Sequence, residues 1–566
     1  MAITISVNKQ SVEQFLSGGK LKPFIIPEYQ RPYAWTEEQI ETLFEDIWEF
    51  VSNSDKDNED GTYFLGSVVF YENENGEYEI IDGQQRITSL FLLLRAIYTK
   101  LVQMEENEKS KNFINKIEPV IWKTEKHTGK AIYSEILLTS KVVNDNGNEI
   151  LRKILKTGKI EEGLTDNYSK NYGIFCRLID ECSRKNPFRM YDFIYALLYQ
   201  VIVLPITADS PETALTIFST LNDRGLPLSD ADIFKAKIYN NLDEKDKKSF
   251  ISNWKELEES CKDSSENIQQ LFYYYMFYLR ALENDKQVTT IGLRKYYSQN
   301  KFSRLFDKNI LDNLKKILNI WKVVNDRVEI EERWSSNKNI RKVLDILTSY
   351  PNEFWKYPVV NFYLKYNESS EFENRFLLFL KKLLIELITK YLVFPTVNAV
   401  KADILKLNVE IMNSIKPKFD FKEVDFKVVY NEIKNPHRSM VRMLLKLLAY
   451  DEQDELLPVK WEIEHILPVK YQSNYFFDID HKIIKEKVET IGNKIPFEKK
   501  LNIIAGNGYF IKKKQHYAES QINMVKKFSK INCNDWNLDS IVERNIRITD
   551  RIESILMNWN TDYMNS

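Results

Sequence analysis

At 566 residues and 67.2 kDa the chain is too long for one hydrophobic core, so several domains are expected. Its 43% hydrophobic and 13% aromatic content suits packed domains and argues against wholesale disorder. A net charge of −2 and a pI near 6.4 exclude a globally basic nucleic-acid coat protein but leave room for a local basic surface.

The first ten residues, MAITISVNKQ, lack the apolar stretch of a signal peptide. Residues 11–18 predict a short capped helix, and residues 36–51 a strongly periodic one with Thr36 as N-cap. Between them lies IPEYQRPYAW (26–35). Its prolines hold the backbone extended, so Tyr29, Gln30, Arg31, Tyr33 and Trp35 stand on a stiff ribbon. Flat aromatics mixed with amide and guanidinium donors suit recognition of a base or a phosphate, and they equally suit packing on a neighbouring helix. Residues 63–83 read as a hairpin around an Asn/Gly turn. They lead into DGQQR and a helix from about Ile87 to Tyr98. A helix N-terminus offers free N–H groups and partial positive charge to phosphate. Gly83 permits close backbone approach and Arg86 a bidentate contact. The stretch is no Walker A loop, and an ordinary strand–turn–helix connection would look the same.

Residues 192–206 end in a buried strand. A helix over 211–225 is stopped by a glycine, and Ser229 caps the next, which carries Asp232, Lys235 and Lys237. The turn between them displays Asn222, Arg224 and Gly225. From about 246 to 440 the pattern is one of long amphipathic helices. Its most apolar run, 376–394, carries Lys381, Lys382, Glu386 and Lys390, which marks a buried helix and not a membrane span. The four cysteines, Cys176, Cys182, Cys261 and Cys533, have no metal-like spacing and suit a reducing compartment. A soluble, cytoplasmic protein without a membrane partner is expected.

The extended PxYQRxYxW segment, the strand ending in IDGQQR and the later LNDRGxxLxxAD together resemble the DUF262 family over roughly residues 1–245. This is the ParB/sulfiredoxin-like N-terminal domain of modification-dependent, type IV restriction enzymes of the GmrSD kind. The resemblance implies a site for a nucleoside triphosphate, ATP or GTP, around Asp82, Gly83, Gln84, Gln85 and Arg86. Asn222, Arg224, Asp232 and Lys235 would lie nearby. It also implies sensing of DNA modification by Tyr29 and Gln30, with Arg31 and Trp35 on the same ribbon.

Near the C-terminus, WEIEHILP (461–468) sets one of only five histidines in an apolar run, after a carboxylate and three residues before a proline. An isolated histidine in such a run is usually a satisfied core residue. Read on to IGNKIPFEKKLN (491–502), however, the pattern is two strands and a helix: Glu464 and His465 on the first, Asn493 on the second, Asn502 at the helix start. Phosphodiester hydrolysis needs a base to activate water and a cation to offset charge on the phosphate. A near-neutral histidine supplies the base, and carboxylate and amide oxygens suit Mg or Mn. Residues 481–530 carry 12 Lys against 4 Glu, net +8, with Lys512, Lys513 and Lys514 as the densest run. Residues 441–520 resemble DUF1524, the HNH, or ββα-metal, nuclease domain with an HxxP motif. By that resemblance His465 is the base, Asn493 the residue that positions it, and Glu464 and Asn502 metal ligands. The third histidine of the pattern is missing, and His516 comes too late to replace it.

The expected protein is multidomain and mainly α with α+β parts: an α/β domain (1–245), a helical domain (246–440) and a nuclease module (441–566). Its expected activity is that of an NTP-regulated, metal-dependent endonuclease restricting modified phage DNA as double-stranded substrate. Two alternatives stand beside it: a phage-DNA nickase triggered by host modification, and a nucleotide-dependent DNA-binding regulator with a decayed nuclease. Monomer and homodimer are both open.

Overall fold

The β-branched and aromatic residues of 63–83 build the centre of the N-terminal sheet. In the computed structural model, residues 6–53, 61–142, 145–161, 163, 165–221, 229–289, 291–470 and 479–566 are described. The chain is mainly helical with a small mixed sheet, and it divides into two compact units, Met1–Glu256 and Leu257–Ser566.

In the first unit the strands are β1 (Ser6–Val7), β2 (Gln10–Ser11), β3 (Phe24–Ile26), β4 (Tyr63–Glu72), β5 (Tyr78–Asp82), β6 (Trp122–Thr124), β7 (Ala131–Ile136), β8 (Leu138–Ser140) and β9 (Val201–Ala208). The main sheet has the order β1-β9-β4-β5-β3-β8, with β2 also on β9, while β6 and β7 form a separate ribbon. The β4–β5 hairpin is therefore not an edge. β4 runs parallel to β9 and β5 parallel to β3. Its turn closes through Asn73 N–H to the Glu77 carbonyl at 2.9 Å, with Gly76 at φ +73°.

Gly83 leaves β5 at φ +90° and caps the helix Gln84–Gln103, which starts three residues earlier than the hydrophobic pattern predicts. The left-handed glycine lets the helix begin at once, closed by Ile87 N–H on the Gly83 carbonyl. The helix packs on Asn167–Lys185. The helix over 36–51 is observed as Glu37–Asn53, and Ser11 caps Val12–Ser17 with a full capping box. The helix after β9 runs Pro211–Leu221, and Gly225 lies outside the described residues.

In the second unit the helices from Leu257 to about 440 and the C-terminal segment pack as one body, while 246–256 belongs to the first unit. A buried carboxylate helps to join them. Asp345 in Lys338–Leu347 receives Lys446 at 2.9 Å and the Tyr450 hydroxyl at 2.6 Å, both from Arg438–Tyr450. The apolar run forms the buried helix Phe372–Val393, where Lys382 pairs with Glu386 at 2.6 Å and Lys390 with Asp403 at 3.7 Å. Among the described residues no helix is long and apolar enough to cross a membrane. Strand β10 (Trp461–His465) pairs antiparallel with β11 (Lys494–Glu498), His465 opposite Lys494. The helices Lys499–Ala505 and Phe510–Ala518 follow, and Leu538–Asn565 closes the chain.

Gly66 interrupts β4 at φ +128°, and a Cβ there would run into the Arg86 guanidinium. Gly66→Ala is expected to cost at least about 1 kcal/mol through backbone strain alone and to displace Arg86. A lowered Tm in the full chain checks this; an unchanged Tm would refute it.

Candidate functional site

The chain leaves β10 at His465 and turns through Ile466, Leu467 and Pro468. What holds that turn is Asn493, fully buried in the short helical turn Ile491–Asn493 and one residue ahead of β11, not on the strand as the sequence pattern suggests. Its backbone carbonyl accepts Ile466 N–H at 2.9 Å, and its Oδ1 accepts Leu467 N–H at 2.8 Å and Trp536 Nε1–H at 3.1 Å. Its Nδ2 donates to the Leu467 carbonyl at 2.9 Å and the Val488 carbonyl at 3.0 Å. Only a carboxamide accepts and donates in this way, which is why asparagine stands here and aspartate does not. The glycine before it is equally forced: a Cβ on Gly492 would meet Ile541 and Asn545 of the C-terminal helix. Arg544 of that helix donates to the carbonyls of Gly492 and Lys494 at 2.6 and 3.0 Å.

His465 stands on this frame with its side chain 26% exposed. Its Nε2 has no hydrogen-bond partner and lies 3.6 Å from Glu489 Oε2. Lys494 holds Glu489 from the other side, at 2.8 Å to Oε2 and 2.7 Å to the carbonyl. Burial lowers the imidazole pKa from its ordinary value; Lys494 lowers it further and Glu489 opposes. The ring is therefore neutral near pH 7, as a general base requires, but its unpartnered Nε2 is buried beside Glu489, so water reaches it only when a neighbour moves aside.

Strand alternation points Glu464 to the other face. It is 5% exposed, and its Oε1 accepts Lys513 Nζ at 2.6 Å and the Tyr517 hydroxyl at 2.8 Å. Burial pushes the carboxyl pKa up against the pull of Lys513, and burial pushes the Lys513 ammonium down. Lys513 also donates to the His465 carbonyl at 2.8 Å. The lysine run thus divides. Lys513, 1% exposed, is a buried ion-pair partner and presents no surface to a DNA backbone. Lys514 is committed to the carbonyls of Ile531 and Cys533, and of the three only Lys512 is exposed. Asn502 lies in Lys499–Ala505 and donates to Glu462 Oε2 at 3.3 Å. Among the described residues no group of three or more His, Cys, Asp or Glu gathers for a metal. Glu464, expected as a ligand, faces away from His465 and has its Oε1 taken up by Lys513 and Tyr517, so with Asn502 it does not fit a cation placed beside the histidine.

In the first unit, Asp82, Arg31 and Arg86 come together at the N-terminus of Gln84–Gln103. Burial raises the Asp82 pKa, and Arg86, the Gly83 N–H and Arg31 pull it back. Arg86 donates to the Ser67 carbonyl at 2.9 Å. Gln84 and Gln85 point elsewhere: they bond the backbone of Arg31, Pro32, Ala34 and Trp35, stitching the proline ribbon to the helix. Tyr29 is 3% exposed with its hydroxyl on Glu79 at 2.9 Å, and Gln30 is buried with its amide on the Ile81 carbonyl. Neither has an open surface for a base, whereas Arg31 is exposed and Trp35 half-buried. Asp232 closes the capping box of Asp230–Asn241 with Ser229, and Lys235 is buried beside Trp254. Asn222 and Arg224 lie outside the described residues. The sequence reading missed Glu489, Lys494, Trp536 and Arg544, which are distant from the HxxP stretch. A carboxylate four residues before the asparagine, in ETIGN, is the one local signal.

A family model for the N-terminal domain of the GmrSD restriction endonuclease matches residues 12–239. A second, for the C-terminal domain of GmrSD restriction endonucleases, matches 420–551. An uncharacterized protein of Methanocaldococcus jannaschii is 22% identical over 276 residues. That alignment covers 46% of this chain, and the chain spans 46%, about half, of the length of that relative.

Asn493→Ala is expected to lower unfolding stability by at least about 2 kcal/mol, because it strands buried N–H and C=O groups of the turn. Denaturant unfolding checks it, and Asn493→Asp should fail similarly because it keeps the acceptors and loses the donors.

Proposed function

The chain belongs to the GmrSD family of restriction endonucleases, and on that premise we propose that it is an HNH-type endonuclease that cleaves modified foreign double-stranded DNA under nucleotide control. The observation that carries this reading is the neutral His465, its Nε2 lacking a partner, held by Asn493. His465 takes a proton from water, the resulting hydroxide attacks phosphorus, and the phosphorus–oxygen bond to the leaving sugar oxygen breaks, with solvent returning the proton. A catalytic Mg or Mn would need ligands other than Glu464, whose carboxylate faces away from His465 and is bonded to Lys513 and Tyr517. Lys512 and the wider surplus of lysines in 481–530 would draw the DNA backbone.

In the N-terminal unit, Gly83, Arg86 and Arg31 at the helix N-terminus would hold the phosphates of ATP or GTP, whose binding free energy supplies the control. Arg31 and Trp35 are the members of the ribbon open to a modified base; contact through Tyr29 or Gln30 would require the ribbon to lift from the sheet.

His465→Ala should reduce cleavage by about 10²–10⁴-fold while Tm, DNA binding and NTP hydrolysis stay unchanged. Plasmid and modified phage DNA with Mg or Mn, with and without NTP, provide the assay, and gels separate nicked from linear product. A stable variant with full cleavage would remove the base from His465. Arg86→Ala should abolish NTP hydrolysis in a folded chain, and undiminished hydrolysis would remove the phosphate role from DGQQR.

A further inference from the structure

Behind the Asn493 turn lies an open cavity of about 440 Å³ that the nuclease reading does not use. Its walls include Lys527, Phe528, Trp536, Arg544, Arg547 and Arg551. The acidic lining residue Glu452 is already paired, with Lys527 at 3.1 Å and with Arg551, which also holds Asp451 at 2.6 Å. Arg544 and Arg547 share the lining with Glu543, and among the described residues neither arginine lies within ion-pair distance of a carboxylate. Arg544 is 6% exposed, bonded through Nη1 to two backbone carbonyls and stacked 5.1 Å from the Phe528 ring centre. Burial lowers the Arg544 pKa to about 9, with Arg547 lowering it further and Tyr517 and the lining carboxylate Glu452 opposing. Phe528, half-buried and 5.2 Å from Trp536, offers an aromatic face beside this charge.

We propose that this cavity binds a phosphate-bearing ligand of mononucleotide size, its phosphate on Arg544 and Arg547 and its base against Phe528. The volume lies within the range of small-ligand pockets, and arginine beside an aromatic ring matches the two ends of a nucleotide. The site is coupled by direct bonds to the histidine turn. Trp536 and Arg544, two of its walls, are the same residues that bond Asn493 and Gly492. Loading the cavity therefore stiffens the turn that carries His465.

The phosphate could come from a free nucleotide or from a nucleotide of bound DNA, and two probes separate these sources. The test uses the full chain carrying Arg86→Ala, so that the N-terminal nucleotide site does not contribute. Isothermal titration with AMP, and separately with a 5′-phosphorylated tetranucleotide, measures binding. Amide hydrogen exchange at Ile466 and Leu467 measures coupling. One site per chain is expected, weakened at least tenfold by adding Arg547→Glu, a change at an exposed residue that should leave Tm unaltered. Exchange at Ile466 and Leu467 should slow on loading and should not slow in the Arg547→Glu chain. Binding of AMP identifies a free effector; binding of the tetranucleotide alone identifies DNA as the source. Absence of binding by both, or binding indifferent to Arg547→Glu, overturns the proposal. Neither readout depends on cleavage, so the result is independent of the nuclease reading.

Discussion

One side chain sets the geometry of the C-terminal site. Asn493 accepts and donates across the turn 466–468, onto Val488 and from Trp536, with no exposed surface. Such a carboxamide, satisfied on both ends, costs little to bury. Its loss would leave several backbone groups without partners, so it specifies one conformation of the turn. The position of His465, the close seating of the C-terminal helix over Gly492 and the bonds from Arg544 all follow from it.

Around this frame the second unit buries charge in pairs. Glu464 with Lys513, Asp345 with Lys446 and Lys390 with Asp403 each place an ammonium against a carboxylate in a largely dry setting. Such pairs add little net stability over an apolar isostere, but losing one member costs about 3–5 kcal/mol, so they fix which partners meet. Lys513 does this at the site itself, holding both the Glu464 carboxylate and the His465 carbonyl.

The first unit uses neutral amides for the same purpose. Gln30, Gln84 and Gln85 bond the backbone between β5, the helix after it and the proline ribbon. Pro27 and Pro32 bracket that ribbon, and a proline nitrogen has no N–H to give to a sheet. Side-chain amides supply the hydrogen bonds that a strand would have made. The residues of the ribbon that look most like a recognition surface are therefore mostly its fasteners, and Arg31 is the one left exposed.

Local pattern alone determined a good deal. The capped helices at Ser11 and Ser229, the hairpin over 63–83, the buried helix over 376–394 and the strand at 461–465 all depend on neighbouring residues, so spacing reveals them. The EH, GN and LN elements of the candidate site were legible for the same reason. Their roles were divided only by the fold. Strand alternation sends Glu464 and His465 to opposite faces, and burial turns Lys513 from a surface lysine into the partner of Glu464. Glu489, Trp536 and Arg544 reach the histidine turn from 24 to 79 residues further along the chain. The strand order, with the hairpin inserted between β3 and β9, was equally invisible. Burial, ion pairing and sheet neighbours depend on which distant segments pack together, and one-dimensional spacing carries no record of that.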